Sequence, residues 1–282
     1  MIRNVKMETT MKIHAACFSP AGATREVVMH LAASLDVLRA GVKLWDFTLP
    51  AGRLAPFVGE AGDLVVVGMP VYAGRLPNLL VPYLKTWQGK GAYVVPVVVY
   101  GNRSYGNALI ELRDILTETG FRPLGAAAFV GEHAFAPELA TGRPDAEDLS
   151  LTERFAGEIL FRLGKAEIGG EVPEVAVPGI GAPDYGGYYQ PLGEQGEPVR
   201  FLKAKPETTD ACTGCGHCAD VCPMGSIDKA NPAFVPGVCI KCNACIRTCP
   251  VGAKQLVDPA FQSHVRYLKA HYVHPAKPVE WF

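Results

Sequence analysis

Eight of the nine cysteines in this 282-residue chain lie between positions 212 and 249, and they form an internal repeat. Each half has the spacing C-x2-C-x2-C-x3-C-P, and the halves are 27 residues apart. Three cysteines at this spacing wrap a loop around a cuboidal iron–sulfur cluster, and the fourth reaches across to the other cluster. The repeat therefore predicts two [4Fe-4S] clusters, one held by Cys212, Cys215, Cys218 and Cys249 and one by Cys239, Cys242, Cys245 and Cys222.

Two other uses of these cysteines compete with this prediction. Zinc modules usually pair C-x2-C with a second ligand pair a dozen or more residues away. A disulfide framework needs an oxidising compartment, and nothing in the sequence indicates secretion. We therefore favour iron–sulfur clusters. Cys17 lies far from the repeat and is predicted to be a buried structural thiol, while His217 is predicted to be a solvated loop residue.

The elements that precede the repeat alternate between strand and helix patterns. Strands are predicted at residues 12–18, 41–47, 63–69, 92–100 and 123–130, and helices at 24–38, 78–87, 105–119 and 151–163. The strands at 63–69 and 92–100 are apolar on both faces, which is typical of central parallel strands covered by helices. Pro96 lacks a backbone N–H and predicts a local bulge. This alternation predicts a doubly wound α/β domain.

Three loops follow strands of this domain at the edge where open α/β sheets bind ligands. Residues 19–24 form a small-residue turn that leads into a helix, which gathers N–H groups and hydroxyls suited to phosphate. An ordinary strand-to-helix connection has the same composition, so this loop alone is a weak signal. The candidate binding residues are Ser19, Ala21, Gly22, Ala23, Thr24, Pro70, Val71, Tyr72, Ala73, Gly74, Gly101, Asn102, Arg103 and Tyr105.

On these motifs the first part of the chain resembles flavodoxin, and the cysteine repeat resembles bacterial two-cluster ferredoxin. The whole resembles flavodoxin–ferredoxin fusion proteins of the EFR type. The resemblance implies a flavodoxin-like five-stranded parallel sheet followed by a small α+β ferredoxin-like domain. It also implies FMN, with its phosphate on the loop at 19–24 and its ring between the loops around Tyr72 and at 101–105. Pro20 and Ala21 depart from the family pattern, since they remove a backbone donor and a hydroxyl.

The roles of several other side chains near these loops can also be predicted. Arg75 and Arg103 either balance the charge of a bound flavin or are solvated. His133 is predicted to be a packing or capping residue. The connector tyrosines Tyr185, Tyr188 and Tyr189 are predicted to pack between domains rather than to cover the flavin.

The predicted organisation is a flexible N-terminus at 1–10, an FMN-binding domain at 11–165, a linker rich in Gly, Pro and Tyr at 166–205, a ferredoxin domain at 206–258, and a C-terminal helix and tail at 259–282. The tail carries a net charge of +2 and is predicted to pack on the cluster module. The chain has 27 Lys and Arg against 28 Asp and Glu, which disfavours nucleic acid as a partner. No apolar run approaches the length of a membrane span.

We expect a cytoplasmic electron carrier that moves electrons among FMN and two [4Fe-4S] clusters, because flavins exchange paired electrons and clusters exchange single ones. Its expected partners are soluble redox proteins or a reductase. One alternative is an FMN-dependent oxidoreductase acting on a small molecule or a nicotinamide cofactor, although the chain has no G-x-G-x-x-G fingerprint. Another is a regulatory cluster protein that has lost FMN.

Overall fold

The computed structural model describes residues 11–170 and 173–282, so the predicted flexible N-terminus lies outside the described residues. Its main sheet contains β1 (Ile13–Cys17), β2 (Val42–Asp46), β3 (Leu64–Pro70), β4 (Tyr93–Tyr100), β5 (Arg122–Pro123), β6 (Ala127–Val130) and β9 (Glu280–Trp281). The parallel strands follow the order β2-β1-β3-β4, and both β5 and β6 pair with β4. This is the flavodoxin-like doubly wound order, and it confirms the predicted fold class.

Strands β3 and β4 are buried on both sides, because helices cover both faces of the sheet. One face packs against α1 (Ala23–Leu35) and α4 (Ala146–Glu167). The other packs against α3 (Ala108–Glu118) and a group of aromatic side chains that comprises Phe47, Phe57, Trp87 and Phe121. Cys17 is buried within the first of these cores, as predicted.

The predicted bulge at Pro96 is absent from β4, which runs without a break through the described register. The interruption lies instead in the neighbouring strand. Residues 93–94 of β4 pair with β5 and residues 97–100 pair with β6, so Pro96 has no partner on that side. The missing N–H of Pro96 is tolerated because it lies beside the gap between β5 and β6.

All four predicted helices differ in length from the sequence predictions, and α3 begins three residues later than predicted. Helix α1 ends at Leu35, because the Asp36 carboxylate accepts hydrogen bonds from the N–H groups of Ala40 and Gly41 and turns the chain. The helix predicted at 78–87 is the single turn α2 (Val81–Leu84), in a segment where Pro77 and Pro82 remove backbone donors. Helix α4 begins earlier than predicted, where Asp145 and Asp148 form a capping box.

The cysteine repeat folds into short elements: β7 (Glu207–Thr208), α5 (His217–Asp220), α6 (Ala244–Arg247) and β8 (Lys254–Gln255). Strands β7 and β8 pair antiparallel. Helix α7 (Pro259–Tyr272) follows and buries Phe261, Val265 and Leu268. None of the helices in the described ranges is both long and apolar enough to cross a membrane.

The C-terminal segment returns to the main sheet, which the sequence did not predict. Strand β9 pairs antiparallel with β6, and Phe282 exchanges two backbone hydrogen bonds with Ala126. The charge of the tail predicted that it packs on the cluster module. The end of the tail pairs with the α/β sheet instead. Arg266 and Lys269 of α7 form ion pairs with Glu194 of the connector and Glu138 of the α/β domain. Helix α7 is instead held mainly by its apolar face.

Candidate functional site

Two cavities in the cysteine module are each lined by four cysteines. The cavity that we call the first site is lined by Cys212, Cys215, Cys218 and Cys249. The cavity that we call the second site is lined by Cys222, Cys239, Cys242 and Cys245. These sets match the two interleaved sets that the sequence repeat predicts, so the fourth cysteine of each half lies in the other half's site.

Within the described ranges, no three Cys, His, Asp or Glu side chains are close enough to bind a single metal ion. The preference for a cluster over zinc rests on the spacing of the cysteines in the sequence and on the two cavities that each contain four of them.

Backbone amides reach the sulfur atoms in the same way in both halves of the repeat. The N–H groups of Gly214 and Lys241 donate to the Sγ atoms of Cys212 and Cys239 at 3.5 and 3.4 Å. At the other end of each loop, the N–H groups of Ser226 and Ala253 donate to Cys222 and Cys249 at 3.3 and 3.2 Å. Such bonds favour thiolates over thiols, as a cluster requires.

Left-handed backbone makes these loops tight. Gly214 and Gly216 have φ angles of 71° and 73° in the first half. Lys241 and Asn243 occupy the corresponding positions in the second half with φ angles of 56° and 57°. Side chains rarely adopt this conformation, so the loop geometry is kept in the second half without glycine. The Asn243 amide also donates to the carbonyl of Ala134, which ties the second site to the α/β domain.

The two sites differ in burial. Cys242 and Cys245 of the second site are both buried, and burial raises the pKa of each thiol to about 12. Cys215 of the first site is exposed. The second site is thus the inner one and the first site the outer one.

The second site lies against the carboxyl edge of the α/β sheet. Met224 and Ile240, which flank its cysteines, pack on the α/β core. Arg53, which follows β2, donates to the carbonyl of Pro223. Arg247 of α6 pairs with Glu132, which follows β6. These contacts place the inner site at the carboxyl edge of the sheet, the edge at which the loops predicted to bind flavin also lie.

Tyr72, in the loop after β3, faces the second site. Burial raises its pKa well above the usual value, and the nearby charges of Cys242 and Cys239 add to this effect. Ala73 and Gly74 form a tight turn with φ angles of 50° and 77°, closed by hydrogen bonds between Tyr72 and Arg75. The turn fixes the backbone of the loop after β3 at Tyr72.

The loop at 19–24 has the local chemistry of a phosphate site. The Ser19 hydroxyl accepts a hydrogen bond from the N–H of Arg25, and Gly22 caps α1 with a φ angle of 96°. The N–H groups of Ala21, Ala23 and Thr24 donate to no other described residue. These amides remain available at a positive helix end. Pro20 supplies no N–H, and the Gly22 N–H is used by the Ser19 carbonyl.

The loop after β4 is largely occupied by other parts of the chain. The Asn102 side chain is 1 % exposed; it donates to the carbonyls of Tyr272 and Pro275 and accepts from the N–H of Lys277. The Tyr105 hydroxyl donates to Glu280 at 2.9 Å. The side-chain polar atoms of both residues therefore have partners within the chain. A flavin contact here would use the backbone of Gly101 or Arg103.

The connector also packs on these loops, through the tyrosines that the sequence predicts to pack between domains. The Arg103 guanidinium lies 3.9 Å from the ring centroid of Tyr189. The Tyr188 hydroxyl donates to the carbonyl of Leu76, and Tyr185 stacks on Arg75 at 4.8 Å. Neither arginine is a freely solvated residue. Sequence reasoning missed the roles of Asn243, Glu280 and the tail, because no local motif marks a residue that acts by long-range contact.

Comparisons with known proteins gave one family match and several similar solved structures. Residues 205–250 match the family model of a 4Fe-4S dicluster domain. No curated protein sequence matches the chain. Among solved structures, a flavodoxin from the domain Archaea is 15% identical and covers 55% of this chain and 99% of its own, with a TM-score of 0.39. Oxidised flavodoxin 2 from Bacillus cereus is 20% identical, with coverages of 54% and 99% and a TM-score of 0.37.

Rubredoxin oxygen:oxidoreductase from Desulfovibrio gigas is 19% identical over 56% of this chain and 36% of its own, with a TM-score of 0.36. The α/β assignment itself rests on the strand order and connections described above. The chain thus combines a flavodoxin-like α/β domain with a region that matches a 4Fe-4S dicluster domain.

Proposed function

We propose that this protein is an electron carrier that binds FMN and two [4Fe-4S] clusters and passes electrons between one-electron and two-electron partners. The observation that carries the proposal is the position of Tyr72. This residue belongs to the predicted flavin loop and is close enough to Cys242 and Cys239 for their charges to act on it. Met224 and Ile240, beside the cysteines of the second site, pack on the same α/β core. A flavin on this edge of the sheet and a cluster in the second site would be neighbours.

Each group would be held by its own set of residues. The two cysteine sets would bind the clusters, and the amide bonds to sulfur would stabilise their negative charge. Ser19, Thr24 and the free amides at 21, 23 and 24 would hold the FMN phosphate. When bound, flavin exchanges two electrons in single steps, whereas each cluster exchanges one. Tyr72 and the connector exclude water from the space between them.

We base the order in which electrons pass through the two sites on their difference in burial. The second site is adjacent to the α/β domain, and the first site has Cys215 at the surface. We place electron exchange with soluble redox proteins or a reductase at this outer site. A small-molecule or nicotinamide substrate would instead need an open flavin face. The tail and connector cover the loop after β4, which disfavours that alternative.

The test is cofactor content after anaerobic purification and reconstitution with iron, sulfide and FMN. We expect about eight iron atoms per chain, from two clusters of four, and one FMN. The double variant Cys215→Ala with Cys218→Ala should lose half of the iron, and so should Cys242→Ala with Cys245→Ala. Cys17→Ala is the matched control, since Cys17 is buried in the α/β core, and it should keep all of the iron.

Each remaining result decides between the candidates. Clusters without FMN, in a protein that does not quench the fluorescence of added FMN, would favour the regulatory cluster protein. Stoichiometric zinc in place of iron and sulfide would overturn the proposal.

A further inference from the structure

The internal repeat contains one buried position where its halves differ in charge. Ile227 follows the fourth cysteine of the first half by five residues, and Lys254 occupies the same position after Cys249. Both are buried, with exposures of 8 % and 2 %. Ile227 packs with Cys218 and Cys245 in an apolar cluster. A lysine therefore replaces a core isoleucine in the second half of the repeat.

The Lys254 ammonium has no acidic partner in the described part of the chain. Its Nζ donates to the carbonyl of Pro232. Lysine is almost never fully buried without a counter-charge, because removing its charge from water costs several kcal/mol. A buried lysine beside a neutral carbonyl alone is therefore unexplained by the protein atoms around it.

A cluster bound in the first site would supply the counter-charge, because Lys254 lies beside that site. Lys254 lines the cavity of the first site together with Cys212, Cys215, Cys218 and Cys249. It does not line the cavity of the second site.

A second lysine near the first site provides a contrast. Lys229 packs beside Gly216, but its side chain is largely exposed and pairs with Asp220. Water and the carboxylate screen its charge, so it acts weakly on the cavity. The buried charge of Lys254 is not screened in this way.

We propose that Lys254 makes the two clusters unequal, because its buried ammonium raises the reduction potential of the cluster in the first site relative to that in the second. Reduction adds one negative charge to a cluster, and a fixed positive charge beside it favours that state. The electron then rests at the outer, exposed cluster, from which a partner protein removes it. This inference rests on the proposed function, since it requires both clusters to be present.

The experiment is an anaerobic redox titration of the reconstituted protein, followed by the electron paramagnetic resonance signal of each reduced cluster. The potential that is missing from the Cys215→Ala, Cys218→Ala double variant identifies the first cluster. At a fixed ambient potential, we expect Lys254→Met to raise the ratio of oxidised to reduced first cluster at least tenfold. This corresponds to a reduction potential that is lower by 59 mV for a one-electron couple. The second cluster should shift less.

Three variants separate charge from packing. Lys254→Arg keeps the charge and should stay close to the wild-type potential. Ile227→Met changes the corresponding position of the other half without adding or removing a charge, and Lys229→Met removes the exposed lysine; both should leave the first potential nearly unchanged. If Lys254→Met loses iron, Lys254→Ile repeats the measurement with the side chain that the first half already tolerates.

The outcomes distinguish this inference from the proposed function. Full iron content with both potentials unchanged in Lys254→Met and Lys254→Ile would overturn it, as would equal shifts of both clusters. Loss of iron in both variants, with iron retained and an unshifted potential in Lys254→Arg, would show that the buried charge is needed and support the inference. A wild-type protein that binds no clusters would overturn the proposed function itself, and with it this inference.

Discussion

Arg75 shows how a residue near the candidate flavin site can have a structural role. Its guanidinium donates two hydrogen bonds to Glu111 of α3, each of 2.8 Å, and both side chains are buried. Glu111 also accepts from the N–H of Leu76 at 3.0 Å. The sequence left open whether Arg75 balances a flavin charge or is solvated. Its pairing with Glu111 makes it a structural support for the loop after β3 instead.

We expect Glu111→Ala to lower the free energy of unfolding by about 3 to 5 kcal/mol, because it leaves the Arg75 charge buried without a partner. The measurement is urea unfolding of the holo-protein followed by tryptophan fluorescence, with iron content checked beforehand. Glu60→Ala is the control, since it breaks the exposed pair with Lys12 and should cause no measurable change. A loss in Glu111→Ala no larger than that of Glu60→Ala would show that the buried pair contributes little.

At the scale of elements, β9 closes the edge of the α/β sheet with only two residues. Its Trp281 ring packs on Phe155 of α4 at a centroid distance of 6.0 Å, and its indole N–H donates to Glu158. Glu280 of the same strand holds Tyr105 in the loop after β4. The strand thus links the helical layer to the candidate site.

Trp281→Ala should lower the free energy of unfolding by about 2 kcal/mol, because it removes a half-buried aromatic ring from α4. It should also loosen β9, which hydrogen exchange at Ala126 and Phe282 would report as reduced protection. Phe161→Ala removes an exposed aromatic ring from the same helix and should change neither quantity. Unchanged protection at Ala126 in Trp281→Ala would mean that the backbone pairing holds the strand without the ring.

The elements that the sequence predicted well are those specified by local pattern. The double-sided apolar runs of β3 and β4 and the cysteine spacing each depend on near neighbours in sequence. Strand β9 has two residues and is fixed by a partner more than 150 positions away, so no periodicity could indicate it. The same holds for Asn102, whose loop position is typical of a ligand site but whose amide binds the tail. The sequence predicted where these loops lie along the chain, but it did not predict which residues their side chains contact.

At the scale of the whole molecule, His133 lies where the α/β domain meets α7. Its ring packs against Gly101, where an added Cβ would come within 2.4 Å of the ring. Its Nδ1 accepts from the N–H of Phe135 at 3.1 Å, so the ring is neutral in this arrangement. Burial, together with the charges of His264 of α7 and Arg103 of the loop after β4, lowers the pKa of His133 to about 4. Burial lowers the pKa of His264 as well.

This junction should make the protein less stable in mild acid. The unfolded chain takes up a proton on His133 near pH 6.5, whereas the folded chain does so only near pH 4. The contribution of the neutral ring is therefore complete above pH 6.5 and is lost as the pH falls to about 4, with a slope of about 1.4 kcal/mol per pH unit between those values and roughly 3 kcal/mol in total. His264 adds a slope of the same sign.

Urea unfolding of the holo-protein at pH 7.0, 6.0 and 5.5 would measure this slope, with iron content determined at each pH to separate unfolding from cluster loss. In His133→Phe the slope should fall by about 1 kcal/mol per pH unit, even if the variant is less stable at pH 7, because the buried group no longer titrates. His271→Gln changes an exposed histidine of α7 and should keep the wild-type slope. An unchanged slope in His133→Phe would assign the acid sensitivity to other groups, of which His264 is the first to test. A reduced slope would show that one buried ring makes the contact between the α/β domain and α7 depend on pH, and that this contact is part of the stability of the whole chain.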